Sequence, residues 1–185
     1  MAASGKNGGT KRSDGALRDG ASSFRVAIGA DHGGFELKAK VIPWLQAKGF
    51  EVADLGTHSE EPCDYPIIAQ KVAQAVAQKA FDRGVLICKS GIGIAIAANK
   101  VPGVRAAVCC DTFDAERSRG HNDANILVLG AEKLSPAKAK QIVEVWFESP
   151  FEAGTRHERR VKQIEAIEAD VLKNAAAYLA QSAKR

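Results

Sequence analysis

Residues 84–93, Gly84-Val85-Leu86-Ile87-Cys88-Lys89-Ser90-Gly91-Ile92-Gly93, decide the fold. The first five form an apolar run without polar alternation, as in a strand buried on both faces. The run ends at a thiol and a short glycine-bearing turn, and helical spacing then predicts a helix over residues 92–100. Working outward, the same strand–turn–helix unit recurs. Strands are predicted over residues 25–29, 50–55, 104–110 and 125–129. Helices are predicted over residues 35–48, 66–80, 112–119 and 135–148, the last opened by Ser135-Pro136. Pro43 is expected to kink the first of these helices or end its first segment. A long Ala/Glu/Lys-rich amphipathic helix is predicted over residues 158–183, with no strand after it. It either closes its own domain or packs on a second subunit.

Alternation of buried strands with helices implies a parallel sheet covered on both faces, a doubly wound α/β domain of about five strands. In such sheets ligands bind outside the carboxyl ends of the strands. That rule points to Asp31-His32-Gly33-Gly34, Gly56-Thr57-His58, Cys88 to Gly93, Asp111-Thr112 and the residues from Gly130 onward.

Composition narrows the class. The chain has 185 residues, 45% hydrophobic and 26% charged, with a net charge of +4. No apolar run reaches the roughly 18–20 residues of a membrane span. The first 24 residues carry four cations and two carboxylates, so residues 25–185 hold only +2. An anion site must therefore be a local cluster, and 6% aromatics argue against dedicated nucleic-acid binding. Residues 1–24 are Gly/Ser-rich, lack the apolar core of a secretory signal and are expected to be a disordered tail. The four cysteines (Cys63, Cys88, Cys109, Cys110) have no metal-ligand spacing, so neither zinc nor another metal is expected, and reduced thiols in a cytoplasmic protein are.

Four clusters carry candidate chemistry. Cys88 ends a strand and precedes a helix, where the helix dipole favours thiolate, while Gly91 and Gly93 expose backbone N–H groups able to hold an oxyanion or phosphate. Cys88 also reads as a buried structural cysteine before a tight turn. Asp31 and His32 suit a sugar hydroxyl and an anion, or Asp31 simply caps the next helix. His121, within Arg119-Gly120-His121-Asn122-Asp123, has a ring suited to proton transfer near neutrality. Arg156 and Arg160 are four apart and share a helical face, either as a phosphate clamp or as a solvated charge run.

Together, GADHGGFELK (29–38), the DLGT (54–57) and DYP (64–66) segments, LICKSGIGIAIAANKVPGVRAAV (86–108), RGHNDANILVLG (119–130) and PFEAGTRHERRV (150–161) resemble the ribose-5-phosphate isomerase B family. This family of sugar-phosphate isomerases includes galactose-6-phosphate isomerase subunits. The resemblance implies a Rossmann-like three-layer fold with an extra C-terminal helix, and a homodimer or homotetramer with sites between subunits. It implies metal- and cofactor-free aldose–ketose isomerisation of a sugar phosphate through an enediolate, in carbohydrate metabolism and the pentose phosphate pathway. Ribose 5-phosphate and ribulose 5-phosphate are the expected pair; another four- or six-carbon sugar phosphate, or a non-catalytic binding module, is the alternative.

By the same resemblance Cys88 is the base between C1 and C2, and Ser90 moves protons between O1 and O2. The amides of Gly91, Ile92 and Gly93 form the anion hole. His121 and Asp31 open the furanose ring, and Asn122 holds the sugar. His32, Arg156 and Arg160 take the phosphate, and Tyr65 flanks the site. Two positions depart from the family pattern: Lys89 where glycine is common after the cysteine, and Glu132 shortly after the fifth strand, where many members carry a phosphate-binding arginine.

Overall fold

The computed structural model describes residues 23–177, so nearly all of the expected tail lies outside the described residues. Five strands, β1 (Arg25–Ala30), β2 (Glu51–Asp54), β3 (Arg83–Cys88), β4 (Ala106–Val108) and β5 (Ile126–Gly130), form one sheet of order β2-β1-β3-β5-β4. Every pairing is parallel, with Cys88 level with Gly130 and Gly84 level with Ile126. The α-helices among the described residues include α1 (Phe35–Ala47), α2 (Tyr65–Ala77), α3 (Ile92–Ala98), α4 (Thr112–Gly120), α5 (Pro136–Glu148) and α6 (Arg156–Lys173), with a 3-10 turn at His32–Gly34. The doubly wound parallel α/β architecture expected from the sequence is present.

The sheet separates two apolar layers. One gathers Leu37, Val41 and Leu45 of α1 with Ala139, Ile142 and Trp146 of α5. The other gathers Ile68, Val72 and Val76 of α2 with Ile94 and Ala98 of α3. These faces also explain why Pro43 does not end α1; the helix runs on as one segment of 13 residues. Leu37, Val41 and Leu45, buried on either side of the proline, hold both halves against the core and outweigh the lost backbone bond. Strand β4 is shorter than expected at both ends, where the Arg105 N–H donates to the Asn125 side chain and the Cys110 N–H to the Asp114 carboxylate.

Strand order reverses direction between β1 and β3, so the loops after these strands open side by side. Lys38, 1% exposed, ties the loop after β2 to the same edge. Its ammonium donates to both oxygens of Asp54 at 2.6 Å and to the carbonyl of Thr57.

The final helix stands apart from the core. Only His157 and Val161 of α6 are buried, while Ile164, Ile167, Val171 and Leu172 are 44–66% exposed. Farther along α6, Glu165 near Arg105 and Glu168 on the Gly103 amide tie it to the domain.

Candidate active site

At the carboxyl edge, the end of β3 and the turn after it place a thiol among backbone donors. Cys88 is buried, and the N–H of Gly91 donates to its Sγ at 3.1 Å. Gly91 has φ +80°, a left-handed conformation that admits glycine without strain, and it starts α3. The Ser90 hydroxyl accepts from the N–H of Ile92 at 3.2 Å. The turn lies along the residues after β5: Ala131 N donates to Cys88 O at 2.8 Å and Glu132 N to Lys89 O at 3.1 Å.

The neighbouring loops complete this group. Asp31 does cap the following turn, its Oδ1 accepting from Gly34 N at 3.0 Å, and its carboxylate is 6% exposed. Its other oxygen has no partner among the described residues. His32 Nδ1 accepts from the N–H of Cys63 at 3.3 Å, so a neutral ring carries its proton on Nε2. The Tyr65 ring packs over Gly93 so closely that a Cβ there would lie 2.7 Å from it. Beside this group a cleft of about 480 Å³ is lined by His32, Lys40, Lys89 and Glu132, among others. The two departures from the family pattern meet there: Lys89 Nζ lies 3.9 Å from Glu132 Oε1.

The other sequence-predicted residues lie elsewhere. His121 and Asn122 follow α4 and precede β5, whose first residue is level with Gly84 at the amino edge of the sheet. Arg156 and Arg160 open α6 at this same edge, where His157 stacks on His121 with ring centroids 3.8 Å apart and planes 8° from parallel. No hydrogen bond or ion pair among the described residues joins this group to Cys88. The chain thus holds two groups, Asp31, His32, Tyr65, Cys88, Ser90 and residues 91–93 at one edge, and His121, Asn122, Arg156 and Arg160 at the other.

The amino-edge group contains residues that sequence reading missed. Glu152 spans both imidazoles, with Oε1 3.5 Å from His121 Nε2 and Oε2 3.7 Å from His157 Nε2. Arg117 Nη1 lies 2.9 Å from His121 Nε2 and Arg156 Nε 3.5 Å from His157 Nε2. The donor atoms of His121, Glu152 and His157 lie within 4.8 Å of one another. A metal cation there would have to displace two guanidinium groups, so this donor set is not built for one. Burial first, then the charges of His121, Arg156 and Arg160, hold the His157 imidazole below its usual pKa, with Glu152 opposing. Elsewhere all four cysteines are free, and burial pushes the Cys109 thiol up to about 12, leaving it an inert neutral group.

Comparison with known proteins decides the lineage. The profile of the Ribose/Galactose Isomerase family matches residues 26–164, about three quarters of the chain. The chain belongs to this family. Ribose-5-phosphate isomerase B of Escherichia coli is 47% identical over 144 residues, covering 78% of this chain and 96% of that protein. D-erythrulose-4-phosphate isomerase of Pectobacterium atrosepticum is 42% identical over 131 residues, covering 70% and 86%. Among solved structures, Clostridium thermocellum ribose-5-phosphate isomerase B superposes with a TM-score of 0.77 at 49% identity, over 79% of this chain and 98% of that one. The matched segment includes all five strands apart from Arg25, the first residue of β1, and α6 starts within it and runs beyond it.

Proposed function

We propose that the chain interconverts ribose 5-phosphate and ribulose 5-phosphate, with Cys88 as the base, residues 25–185 forming one isomerase domain. Family membership at 47% identity makes it a sugar-phosphate aldose–ketose isomerase. The observation that carries the finer reading is the Cys88 sulfur, held by the Gly91 amide where the strand order reverses, with Asp31 and His32 just after β1 and Tyr65 at the start of α2.

The chemistry requires a base, a proton carrier and a place for negative charge. The Cys88 thiolate takes the proton from C2 of the open-chain aldose, and the electron pair moves onto O1 as an enediolate. The amides of Gly91, Ile92 and Gly93 receive that charge. Ser90 carries a proton from O2 to O1, and the Cys88 thiol returns its own to C1, giving the ketose. Asp31 and His121 open the furanose ring, Asn122 holds the sugar, and His32, Arg156 and Arg160 take the phosphate.

This reading needs two copies of the chain, because each supplies the two groups at opposite edges. The apolar stripe of α6, and Ile67, Ile92 and Ile96 beside the Cys88 turn, 52–58% exposed, support such a pairing. A two-fold dimer lets each copy lend its His121 group to the other's Cys88 group, giving two equal sites. No described helix is long and apolar enough to cross a membrane, and four free thiols suit a reducing cytoplasm.

The test is formation of ribulose 5-phosphate from ribose 5-phosphate in the presence of a chelator, alongside four- and six-carbon sugar phosphates. Ribose 5-phosphate is expected to have the highest kcat/KM; a clear preference for a tetrose phosphate would replace it with the reaction class of the Pectobacterium relative. Glu132→Arg removes a carboxylate from the cleft and frees Lys89, both favourable to a phosphate dianion. Since both groups are more than half exposed, a fall in KM of only about threefold is expected. An unchanged or higher KM places the phosphate away from Glu132.

A further inference from the structure

His121 is surrounded by groups with opposed effects on its proton. Its ring lies flat on His157, a contact that fixes the imidazole plane. Its Nε2 has two competing neighbours, the Arg117 guanidinium at 2.9 Å from α4 and the Glu152 carboxylate at 3.5 Å from the segment before α6. Its Nδ1 has no partner among the described residues. Beyond His157 lie the Arg156 and Arg160 charges, also on α6. Asp123, two residues on, is engaged by Arg105 and Arg119.

The two neighbours of Nε2 suit different protonation states. A guanidinium donates only to a bare Nε2, the neutral ring with its proton on Nδ1. A carboxylate accepts only from Nε2–H, as in the imidazolium. Two stacked imidazolium ions 3.8 Å apart would repel strongly, so the rings do not both take the charged form. The His157 side chain is 7% exposed and that of His121 26%, so an imidazolium charge loses less hydration on His121.

We propose that His157 and Glu152 are positioning residues for His121: the His157 ring sets its plane, Glu152 supports the proton on Nε2, Arg117 competes with that support, and Nδ1–H faces the substrate. The proposal rests on His121 acting on the sugar ring. In that step the imidazolium gives the Nδ1 proton to the ring oxygen as the bond from C1 to that oxygen breaks. Asp31 takes the proton of the C1 hydroxyl, and the ring left behind is neutral, with Nε2–H on Glu152.

The test combines NMR titration of the His121 imidazole with the pH profile of kcat/KM for ribose 5-phosphate, in full-length wild type, Glu152→Gln and Arg117→Met. An acid must be protonated to act, so its contribution is lost as pH rises through its pKa. Without the Glu152 charge the imidazolium is less stable, and both the titration midpoint and the alkaline limb move to lower pH, by about half to one unit. Without Arg117 both move to higher pH. His157→Ala frees the ring plane and lowers kcat more than it raises KM, while His157→Phe, which keeps a flat partner, restores much of the loss. Opposite shifts in the two charge variants support the proposal, since a merely structural role would lower activity without moving the midpoint. Unmoved midpoints in folded variants overturn it. A moved midpoint that the alkaline limb does not follow overturns the acid role of Nδ1. Absence of turnover in wild type instead defeats the functional reading, and the titration alone then decides the charge coupling.

Discussion

Cys88→Ala is expected to lower kcat/KM for ribose 5-phosphate by about 10²–10⁴-fold, the contribution of a positioned base. The loss falls on kcat, because the sulfur acts on the reacting carbons and the groups assigned to phosphate and hydroxyls remain. Structure is expected to survive. The substitution removes one atom at the edge of an apolar layer and leaves Gly91 N–H without a sulfur acceptor, a cost of about 1 kcal/mol. Paired measurements of kcat and of Tm check both halves. Activity within tenfold of wild type, with Tm unchanged, would take Cys88 out of its assigned role. Cys88→Ser should recover little, since a hydroxyl at that position is far less acidic than a thiol.

Gly130→Ala should be nearly as damaging, although residue 130 carries no chemistry. A Cβ there would lie 2.7 Å from Ser90 O and 2.9 Å from Ser90 C, both backbone atoms. Backbone cannot rotate aside as a side-chain tip can, so the Cys88–Gly91 turn must move away from β5. That turn is bonded to the same segment through Ala131 N and Glu132 N, and these bonds would stretch with it. Displacing a reacting group by about 1 Å can cost roughly 10²-fold in rate. Overpacking of this kind costs about 1–3 kcal/mol in stability. The expected signature is a fall in kcat of about 10²-fold, a lower Tm and a KM near that of wild type. A variant with wild-type kcat would mean that the turn tolerates the shift and that its position against β5 is not what sets the geometry.

Elements whose signal is local were legible in the sequence. The buried runs at Val85–Ile87 and Ile126–Leu129 and the Ser135-Pro136 helix start appear at or within a residue of their expected places. Pro43 does not end its helix because burial of Leu37 and Leu45 on either side of it outweighs local propensity. The candidate site was legible as a set of motifs but not as an arrangement. Asp31, His32 and Cys88 each follow a strand, so strand–loop order alone puts them at one edge. Lys89 and Glu132 were each conspicuous, yet nothing periodic relates residues 43 apart, and their proximity comes from the register of β3 on β5. His157 escaped notice among four charged neighbours. The signal that could have marked it is its place between Arg156 and Arg160, facing the domain at the first turn of an amphipathic helix.

Strand β5 also acts as a spacer. Its five residues, at about 3.3 Å each, hold the thiol edge roughly 16 Å from the imidazole edge, and a rigid, fully buried strand cannot shorten that gap. Under the two-copy reading a solitary protomer is therefore idle at any substrate level. Turnover per chain would fade on dilution before the fold is lost, and the surfaces that join the copies would govern the rate as surely as the sulfur does.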